Sequence, residues 1–561
     1  MNKFNFLENS NNSYNQLAVI SFFSILLILG SVTFKDYGIS IDEEFQRSSG
    51  FYWLNYLLNF TPFEELKILS QEKFESIKGF TVMSPKDVPF YGIIFDVPLA
   101  FLEIILNIEE SKNYFYLRHY INFLIFFLSS IFFYKILINR FSNLYISLIG
   151  TLFYVLSPRI YGASFYNNKD ILFLSLFTIT IFFCFKAIEK FDYKNLILLS
   201  LLASIATSTR IIGILIPATF SIIYLLSLTS KKNILKNIIQ LIFFLILFYL
   251  FLIIHWPYLW DKPFYNFFSL LLNPELYSIN MKTFFEGNYI STNFVPYKYI
   301  PVWIFITSPL SNIIFFICGI SYYSKRLFNR FEVIDKKENL FDFWRGKKEK
   351  KDFYIFLNFF IILFYLIIFK STLYNGWRHI YFLNFFITYF ASFGFYIIYL
   401  AIKKLNKQLY LYSLTLGFSI FIIIKMFLYH PFQNIYFSNF ISDNYKNSFE
   451  VDYQGTSGLR FLKNILKIEK TKSTINIGTA SFYDMERSLA LLNNTDKKRI
   501  NLVYQDYKNA EYIYSNFISE VDKKIDDKYD VPKSFIQIDE FIIEGVSIYK
   551  VYKNIKFNSS K

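Results

Sequence analysis

Three consecutive carboxylates lie a few residues beyond the first long apolar run of the chain. They are Asp42, Glu43 and Glu44, within residues 36–50. Burying charge beside hydrocarbon is costly, and a cluster of like charges costs more, which favours a functional reason for these residues. A solvated acidic loop is the alternative. Because a carboxylate can act as a general base, Asp42 and Glu43 are the candidate catalytic residues.

Positively charged side chains and a histidine recur where other apolar runs begin or end. They are Arg118, Arg159, Lys169, Arg210, Arg378 and His379. Arg210 has no acidic residue nearby in sequence, and the planar donor fork of an arginine suits a phosphate group. Interfacial snorkelling explains each cation equally well when it is taken alone. Since several of them can share one membrane face with the acidic loop, we expect them to bind the phosphate of a lipid-linked donor.

Residues 157–170 begin where one apolar run ends and stop where the next begins. Pro158 should end the first helix, and Gly162 permits a turn. The segment then supplies Tyr166, Asn168 and Asp170, which are candidate substrate-binding residues because their hydroxyl, amide and carboxyl groups would meet a lipid headgroup. An ordinary loop between two helices would contain similar residues, so both interpretations stay open.

A later segment, HWPYLWDKP at residues 255–263, is rich in aromatic residues and prolines. Aromatic faces stack on sugar rings, but they also lie at the headgroup level of many membrane proteins. Trp256 and Tyr258 are therefore candidate substrate-binding residues, with an ordinary aromatic belt as the alternative.

Carboxylates, cations and aromatic rings on one membrane surface suit the transfer of a sugar from a lipid phosphate. Asp42 would take the proton from an acceptor hydroxyl as that hydroxyl attacks the anomeric carbon. The cations would hold the departing phosphate, and direct displacement would invert the anomeric centre. Glu43 would orient the acceptor or pair with a cation.

The elements that must position these residues are membrane helices. The chain is 54% hydrophobic, with apolar runs long enough to cross about 30 Å of hydrocarbon. We therefore predict a mainly α, polytopic membrane protein with about eleven transmembrane helices. The runs begin near Leu17, Arg118, Asn143, Ile171, Asn195, Ile211, Ile238, Tyr299, Phe353, Trp377 and Leu409.

The formal charge of +15 comes from short Lys and Arg clusters between the apolar runs. That distribution is typical of a positive-inside topology, so we exclude nucleic acid as a partner. Cys184 and Cys318 both lie in apolar segments and are expected to be small core residues, which supports neither a disulfide framework nor a thiol metal site. With four histidines, a His-rich metal centre is not expected.

The topology is decided by residues 89–107, an apolar run that contains Asp96, Glu103 and two prolines. If this run lies along the interface as an amphipathic juxtamembrane helix, the basic connections all fall on the cytoplasmic side. The candidate site residues then share the outer side. We predict a transmembrane domain over residues 1–429, with outer loops at 35–117 and 256–300.

Beyond residue 430 the pattern changes to that of a segment outside the membrane. Residues 473–478, 501–504, 511–514 and 536–551 are typical of strands, and residues 459–468 of a helix. Residues 430–561 are therefore predicted to form a small α/β domain of the outer compartment.

This arrangement resembles the GT-C membrane glycosyltransferases, specifically glycosyltransferase family 39, which includes protein O-mannosyltransferases and bacterial lipid A aminoarabinose transferases. The likeness lies in IDEEF at residues 41–45, in SPRIYG leading to NKD within residues 157–170, and in WRH at residues 377–379. It extends over about residues 15–430.

The resemblance implies an enzyme of the cell inner membrane that uses a polyprenyl-phosphate-linked sugar at its periplasmic face, with Asp42 as the base. Two departures argue against a protein acceptor. Glu44-Phe45-Gln46 stands where the O-mannosyltransferases have a histidine, and their β-trefoil insert is absent. The acceptor stays open among a glycan, a lipid and a protein. No metal or other cofactor is expected, because the group resembled is metal-independent and Asp170 is the one acidic candidate in the second motif.

Two other classes of protein would also gather charge near one membrane face. A transporter or flippase of a lipid-linked sugar is the main alternative, although such proteins commonly bind at the bilayer midplane between paired repeats, which this sequence does not contain. A noncatalytic membrane scaffold whose outer domain binds a partner is the other.

Overall fold

The computed structural model describes residues 13–77, 90–228, 234–273, 282–332, 343–368, 372–517 and 527–555, and it is mainly helical. In the membrane-associated part its helices are α1 (Ser13–Thr33), α2 (Glu43–Leu58), α3 (Glu64–Ser76), α4 (Asp96–Ile105), α5 (Ser111–Phe141), α6 (Leu144–Val155), α7 (Pro158–Tyr166), α8 (Asp170–Glu189), α9 (Tyr193–Thr209), α10 (Leu215–Leu226), α11 (Ile234–His255), α12 (Pro263–Leu272), α13 (Tyr299–Thr307), α14 (Leu310–Glu332), α15 (Lys347–Ile368), α16 (Leu383–Lys403) and α17 (Gln408–Tyr429).

Two short strands, β1 (Lys282–Phe285) and β2 (Asn288–Ser291), form an antiparallel hairpin between α12 and α13. The described residues of the C-terminal part form four α-helices and five strands. They are α18 (Asp443–Lys446), α19 (Gly458–Ile468), β3 (Ile475–Thr479), α20 (Glu486–Ala490), α21 (Asn494–Lys497), β4 (Ile500–Tyr504), β5 (Tyr512–Ser515), β6 (Phe535–Ile543) and β7 (Val546–Asn554).

Seven helices in the described part of the chain are long and apolar enough to cross a membrane. They are α1, α5, α8, α11, α15, α16 and α17. The bent pair α6 and α7 would be an eighth, and this number replaces the predicted count of about eleven. The other three apolar runs also fold as helices, but α9 and α10 are too short to qualify and α14 carries Lys325, Arg326 and Arg330 in its second half.

Pro158 breaks the α6–α7 pair as predicted. The two helices meet at an angle of 63°, and Ser157, directly before the proline, has an extended backbone with φ −86° and ψ 102°. A proline ring disfavours the helical conformation of the residue before it, and it is well accommodated at the first position of a new helix. The break turns α7 away from α6 and leads the chain towards residues 167–170.

The predicted juxtamembrane helix over residues 89–107 is shorter than expected. Pro89 lies outside the described residues, and α4 begins at Asp96 and ends at Ile105. Ten residues of α-helix extend for about 15 Å, which is half of the hydrocarbon thickness. The helix buries Leu99 and Glu103 while Ile105 is exposed, which is the two-sided pattern expected of an interfacial helix.

The segments predicted to be cytoplasmic meet at one end of the bundle, and the segments predicted to lie on the outer side meet at the other end. At one end Arg140 forms a bidentate pair with Asp352, with N–O distances of 2.6 and 2.7 Å, and Lys348 donates to the Ser142 hydroxyl. The basic residues Lys231 and Lys232 of the predicted cytoplasmic side lie outside the described residues. At the other end the first acidic loop contacts α7, through the Ser40 hydroxyl and the Tyr166 carbonyl.

The C-terminal strands form one mixed sheet in the order β4-β3-β5-β7-β6. Strand β3 is parallel to β4 and β5, whereas β7 is antiparallel to β5 and β6. Strands β3, β4 and β5 and helix α19 lie within two residues of their predicted ranges, whereas the single run predicted at residues 536–551 forms two strands, β6 and β7, of which β7 ends at Asn554. Glu544 and Gly545, both with positive φ, form the two-residue turn between β6 and β7, and Glu544 pairs with Lys425 of α17 at 2.7 Å. The sheet therefore sits directly against the membrane helices.

The cysteines differ from each other in their surroundings. Cys184 is buried in the core, as expected, but Cys318 is exposed on the surface of α14. The expectation that both are core residues is therefore wrong for Cys318, because an apolar sequence does not tell a packed helix face from a face turned outward in a membrane protein.

Two glycines allow α14 and α16 to cross at very short range. A Cβ atom on Gly394 would lie 2.0 Å from the Phe315 carbonyl oxygen, and one on Gly319 would lie 2.0 Å from that of Phe390. Small residues permit such close approach between membrane helices, where packing drives association. This contact fixes α16, which follows the candidate residues Arg378 and His379.

We expect Gly394→Ala to lower the free energy of unfolding by about 1–3 kcal/mol, because the new methyl group meets backbone atoms that cannot rotate away. The midpoint of thermal unfolding in detergent would measure the loss. Gly417→Ala in α17 is the matched control, since a Cβ there meets nothing within 4 Å. Equal midpoints for the two variants would contradict the α14–α16 crossing.

Candidate active site

Asp42 and Arg378 form an ion pair at the end of the bundle opposite Arg140 and Asp352. Asp42 is the residue before α2, and Arg378 begins the 3-10 turn Arg378–Ile380 that leads into α16. The Arg378 Nη1 group donates to Asp42 Oδ2, and Arg378 is almost fully buried. Burial raises the pKa of Asp42, but the charges of Arg378 and Lys169 outweigh it and hold this pKa below its ordinary value. Asp42 is therefore ionised at neutral pH.

A second ion pair joins Asp170 and Arg210. Asp170 is the first residue of α8, where the helix dipole favours a carboxylate, and Arg210 follows the end of α9. The Asn167 side chain fixes Asp170: its Nδ2 donates to Asp170 Oδ2 at 2.9 Å, and its Oδ1 accepts from the Asp170 backbone N–H at 2.8 Å. The charge of Asp170 also acts on Asp42, so the two pairs form one cluster of charged side chains, which we call the Asp42 pocket.

Lys169 lies between these two pairs. Its Nζ atom is 3.3 Å from the centre of the Tyr91 ring and 5.2 Å from that of Phe45. Burial disfavours the ammonium form and lowers the pKa of Lys169 to about 8, although the neighbouring carboxylates of Asp42 and Asp96 oppose this shift. Lys169 is therefore a cation near neutrality that loses its charge within about a pH unit above it.

Tyr91, Tyr374 and His379 complete the wall of the pocket. The Tyr374 ring lies 5.2 Å from the Arg378 guanidinium carbon and 4.3 Å, centre to centre, from the His379 ring. Burial, with the charges of Arg378 and Arg210, holds the pKa of His379 well below its ordinary value. Burial also raises the pKa values of Tyr91 and Tyr374. These three side chains are therefore neutral hydrogen-bonding groups beside charged ones.

Glu43 points away from the pocket and is fully buried. Its Oε1 accepts from the Ser40 backbone N–H at 2.6 Å, and its Oε2 lies 2.9 Å from His119 Nε2. Of the two expected roles, orienting the acceptor or pairing with a basic group, the structure shows a pair with His119 of α5. Glu43 therefore holds the start of α2, and so the neighbouring Asp42, against α5.

Arg118 lies behind the pocket, in a buried layer that also contains Arg47 and Glu103. Arg47 donates to both Glu103 oxygens, at 3.0 and 2.5 Å, whereas Arg118 interacts electrostatically with Glu103 and Asp96. Neither terminal nitrogen of Arg118 has a hydrogen-bond partner among the described residues. Burial raises the pKa of Asp96 to about 6. Arg118 thus adds positive charge near Lys169 without reaching Asp42.

The α7 candidates occupy different positions. Arg159 is buried between the Trp303 and Phe437 rings and donates to the Tyr436 carbonyl at 2.9 Å, outside the Asp42 pocket. Tyr166 and Asn168 are buried, and the Tyr166 hydroxyl and both polar atoms of the Asn168 side chain have no hydrogen-bond partner within the described residues. Unpartnered polar atoms of this kind are expected where a ligand or water binds.

Trp256 and Tyr258 pack away from the ion pairs. Trp256 is fully buried among Phe248, Leu252 and other apolar side chains, and Tyr258 stacks edge-on against Phe90 at 5.4 Å. Their contacts are those of a packed core next to the pocket. The structure does not bring these two aromatic residues to Asp42.

Sequence reasoning missed Tyr91 and Tyr374. Tyr374 lies four residues before Arg378 in YNGWRH, so its proximity to that motif was an available signal. Tyr91 lies in the run that was predicted to lie along the interface, and nothing in its neighbours pointed to the site. It reaches the pocket because Gly92 and Ile93 bond the backbone at Ser208 and His255, at 2.8 and 3.1 Å.

The C-terminal unit contacts the acidic loop directly. Arg487 of α20 lies 3.4 Å from Glu44, and the Tyr483 hydroxyl donates to the Ile39 carbonyl at 3.4 Å. A Cβ on Gly38 would lie 2.5 Å from the Thr456 carbonyl oxygen. Burial raises the pKa of Glu44 to about 7. The segment that leads to Asp42 is therefore held on one side by α5 and on the other by residues 456–487.

In the described part of the chain, no three His, Cys, Asp or Glu side chains converge as a group that could hold a metal ion. The positive charge of the pocket instead comes from Lys169, Arg210 and Arg378, two of which are paired with carboxylates. The anionic oxygens of a phosphate group could replace those carboxylates as partners of the arginines. The arrangement thus suits binding of a phosphate next to an ionised carboxylate.

A family model described as dolichyl-phosphate-mannose-protein mannosyltransferase matches residues 97–256. The match covers α4 to α11 and contains Arg118, Lys169, Asp170 and Arg210. It confirms the resemblance to GT-C glycosyltransferases and supports a membrane glycosyltransferase that uses a polyprenyl-phosphate-linked sugar. No curated protein matches the chain.

The buried Glu43–His119 pair gives a test of this geometry. We expect Glu43→Ala to lower the free energy of unfolding by about 3–5 kcal/mol, because it leaves His119 and the Ser40 N–H buried without a partner. Glu43→Gln is the matched control, since its amide can still bond both groups. Thermal unfolding in detergent would measure the difference, and equal losses from the two substitutions would contradict the pair.

Proposed function

We propose that this protein transfers a sugar from a polyprenyl-phosphate donor to an acceptor hydroxyl at the outer face of the membrane, with Asp42 as the base. The observation that carries the proposal is the cluster of Asp42, Lys169, Arg210 and Arg378 in one pocket. An ionised carboxylate beside three cations suits a reaction that needs a proton acceptor and releases a phosphate.

The ion pairs give the pocket a resting state that the donor would displace. Asp42 and Asp170 neutralise Arg378 and Arg210. A donor phosphate bound by the two arginines and Lys169 would weaken the pull of Arg378 on Asp42. Since that pull holds the pKa of Asp42 low, donor binding would make Asp42 more basic at the moment when it must take a proton.

The reaction then proceeds as a direct displacement. The acceptor hydroxyl donates its hydrogen bond to the Asp42 carboxylate and attacks the anomeric carbon from the face opposite the phosphate. The new C–O bond forms as the bond between the anomeric carbon and the phosphate oxygen breaks, and the proton passes to Asp42. The cations stabilise the charge that develops on the leaving phosphate, and the anomeric configuration inverts.

We assign this pocket to the periplasmic side of a multi-pass inner-membrane protein. The basic connections at the opposite end of the bundle, around Arg140 and Lys348, support this orientation through the positive-inside rule. The proposed reaction uses no metal, because three side-chain cations supply the charge that a divalent ion would otherwise provide.

Asp42→Asn is expected to lower the rate of sugar transfer by at least about a hundredfold, since general-base catalysis contributes that much or more. The measurement is transfer of radiolabelled sugar from a polyprenyl-phosphate donor in proteoliposomes. Asp36→Asn is the control, because Asp36 lies near the loop but pairs with His430 outside the pocket. Unchanged transfer by Asp42→Asn would remove the base assignment, and donor translocation without transfer would favour the flippase.

The apparent donor affinity should fall as pH rises through about 8. Lys169 is protonated below this value and neutral above it, so its attraction for the phosphate is present at pH 7 and lost at pH 9. We expect kcat/KM for the donor to fall on the order of tenfold across that interval, as for loss of one hydrogen bond to a charged group. Lys169→Arg should make this limb of the profile flat. If kcat/KM of Lys169→Arg still falls between pH 7 and pH 9, the titrating side chain is not Lys169.

A further inference from the structure

A cleft of about 350 Å³ lies between the β1–β2 hairpin and the C-terminal sheet. Its lining comes from both strands of the hairpin, from residues 447–451, from the end of β5 and from β6 and β7. We call it the hairpin cleft. None of the residues assigned to the Asp42 pocket lines it, so it is a separate cavity on the side of the protein that carries the sheet.

Aromatic rings form one wall of the hairpin cleft. Phe284 and Tyr289 are cross-strand partners whose ring centres are 5.0 Å apart, and Phe517 contributes a third ring. Tyr289 is 56% exposed and Phe517 is 43% exposed. Rings left this open in a cavity offer flat apolar faces to a ligand, whereas the rings of the Asp42 pocket are largely buried.

Polar and charged groups face these rings. Lys282, Glu450, Glu540 and Lys550 line the cleft with the amide of Asn447. The Lys550 ammonium lies 5.7 Å from the centre of the Phe517 ring, so the charged and aromatic groups are close enough to touch the same small ligand. A cleft with flat apolar faces and a surrounding set of donors and acceptors matches the two kinds of surface on a sugar ring, whose C–H face stacks and whose hydroxyls form hydrogen bonds.

Glu450 connects the cleft to the Asp42 pocket. Its carboxylate accepts from the Thr283 hydroxyl at 2.7 Å and from the backbone N–H of Asn375, and it interacts with the charge of Arg378. Arg378 is in turn the partner of Asp42. One carboxylate therefore lines the cleft while it touches the turn that carries the pocket arginine.

Backbone bonds fix the hairpin to this turn. The Glu450 N–H donates to the Phe284 carbonyl at 3.0 Å, and the Leu373 N–H donates to the Thr292 carbonyl at 3.3 Å. The Tyr299 hydroxyl donates to the Gly376 carbonyl at 2.9 Å. The cleft and the pocket thus have a shared, rigid boundary, so that a molecule seated in one has a defined position relative to the other.

We propose that the hairpin cleft binds sugar rings of a carbohydrate acceptor, while the hydroxyl that reacts lies outside the cleft at Asp42. This inference rests on the proposed function and names its acceptor class. A peptide acceptor would need an extended groove, and a lipid acceptor would need an apolar surface that continues into the membrane. A cavity of 350 Å³ with aromatic, amide and carboxylate walls has the size and chemistry for a few sugar rings.

Acceptor kinetics test the proposal with Tyr289→Ala in the full-length protein in proteoliposomes. The donor is a radiolabelled polyprenyl-phosphate sugar, and the acceptors are the polysaccharide, glycolipid and protein fractions of the cell envelope. We expect label in the polysaccharide fraction, and an acceptor KM about tenfold higher in the variant, with kcat and donor KM unchanged. If the radiolabel appears only in the protein fraction, or only in glycolipids that carry no added sugar chain, the proposal is wrong.

Two further variants separate a local effect from a folding defect. Tyr297→Ala removes a ring that is 84% exposed in the same outer segment but does not line the cleft, and it should leave the acceptor KM unchanged. Tyr289→Phe keeps the ring and should retain the wild-type KM. An equal rise for Tyr297→Ala, or a rise in donor KM with Tyr289→Ala, would contradict a stacking site in the cleft.

A binding measurement distinguishes failure of this inference from failure of the proposed function. Purified protein is applied to an array of defined oligosaccharides, as wild type, Asp42→Asn and Tyr289→Ala. We expect wild type and Asp42→Asn to bind the same glycans, and we expect Tyr289→Ala to bind them with about tenfold lower affinity. If Asp42→Asn binds the glycans and still transfers sugar at the normal rate, Asp42 is not the base, but the carbohydrate site in the cleft is still supported. If Tyr289→Ala binds the glycans as well as wild type does, or if wild type binds none of them, the proposed carbohydrate site in the cleft is wrong.

Discussion

The buried ion pair between Asp42 and Arg378 is the constraint on which the site depends. The two residues are 336 positions apart, and a buried charge without a partner is costly, so each side chain requires the other to be in place. Asp42 is fixed by the start of α2 and Arg378 by the turn before α16. The helices that hold these two residues must therefore pack in one arrangement for the pocket to exist.

The same logic extends to the second layer of the site. Glu43 with His119, and Arg47 with Glu103, are pairs that join α2 to α5 and α4 beneath the pocket. Neither pair touches the pocket cations, but both hold α2, which begins directly after Asp42. The three acidic residues thus have different partners: Asp42 pairs with Arg378, Glu43 with His119 of α5, and Glu44 with Arg487 of the C-terminal unit.

The C-terminal unit is more than an appended domain in this arrangement. Its residues Thr456 and Tyr483 pack on the loop before Asp42, and its sheet forms one wall of the hairpin cleft. The β6–β7 turn also pairs with Lys425 of a membrane helix. The C-terminal unit is thus fixed at three places to the end of the bundle that carries Asp42.

The presence of apolar membrane helices, the break at Pro158 and most strand positions of the C-terminal sheet follow from the sequence alone, since hydrophobic length and proline geometry act locally. The number of membrane-spanning helices and the partners of the site residues follow from the folded structure. Trp256 and Arg159 had the residue types expected of ligand groups but pack elsewhere, whereas Tyr91 reached the pocket through backbone bonds to distant helices. Which side chains converge depends on helix packing between segments hundreds of residues apart, and no local pattern encodes that choice.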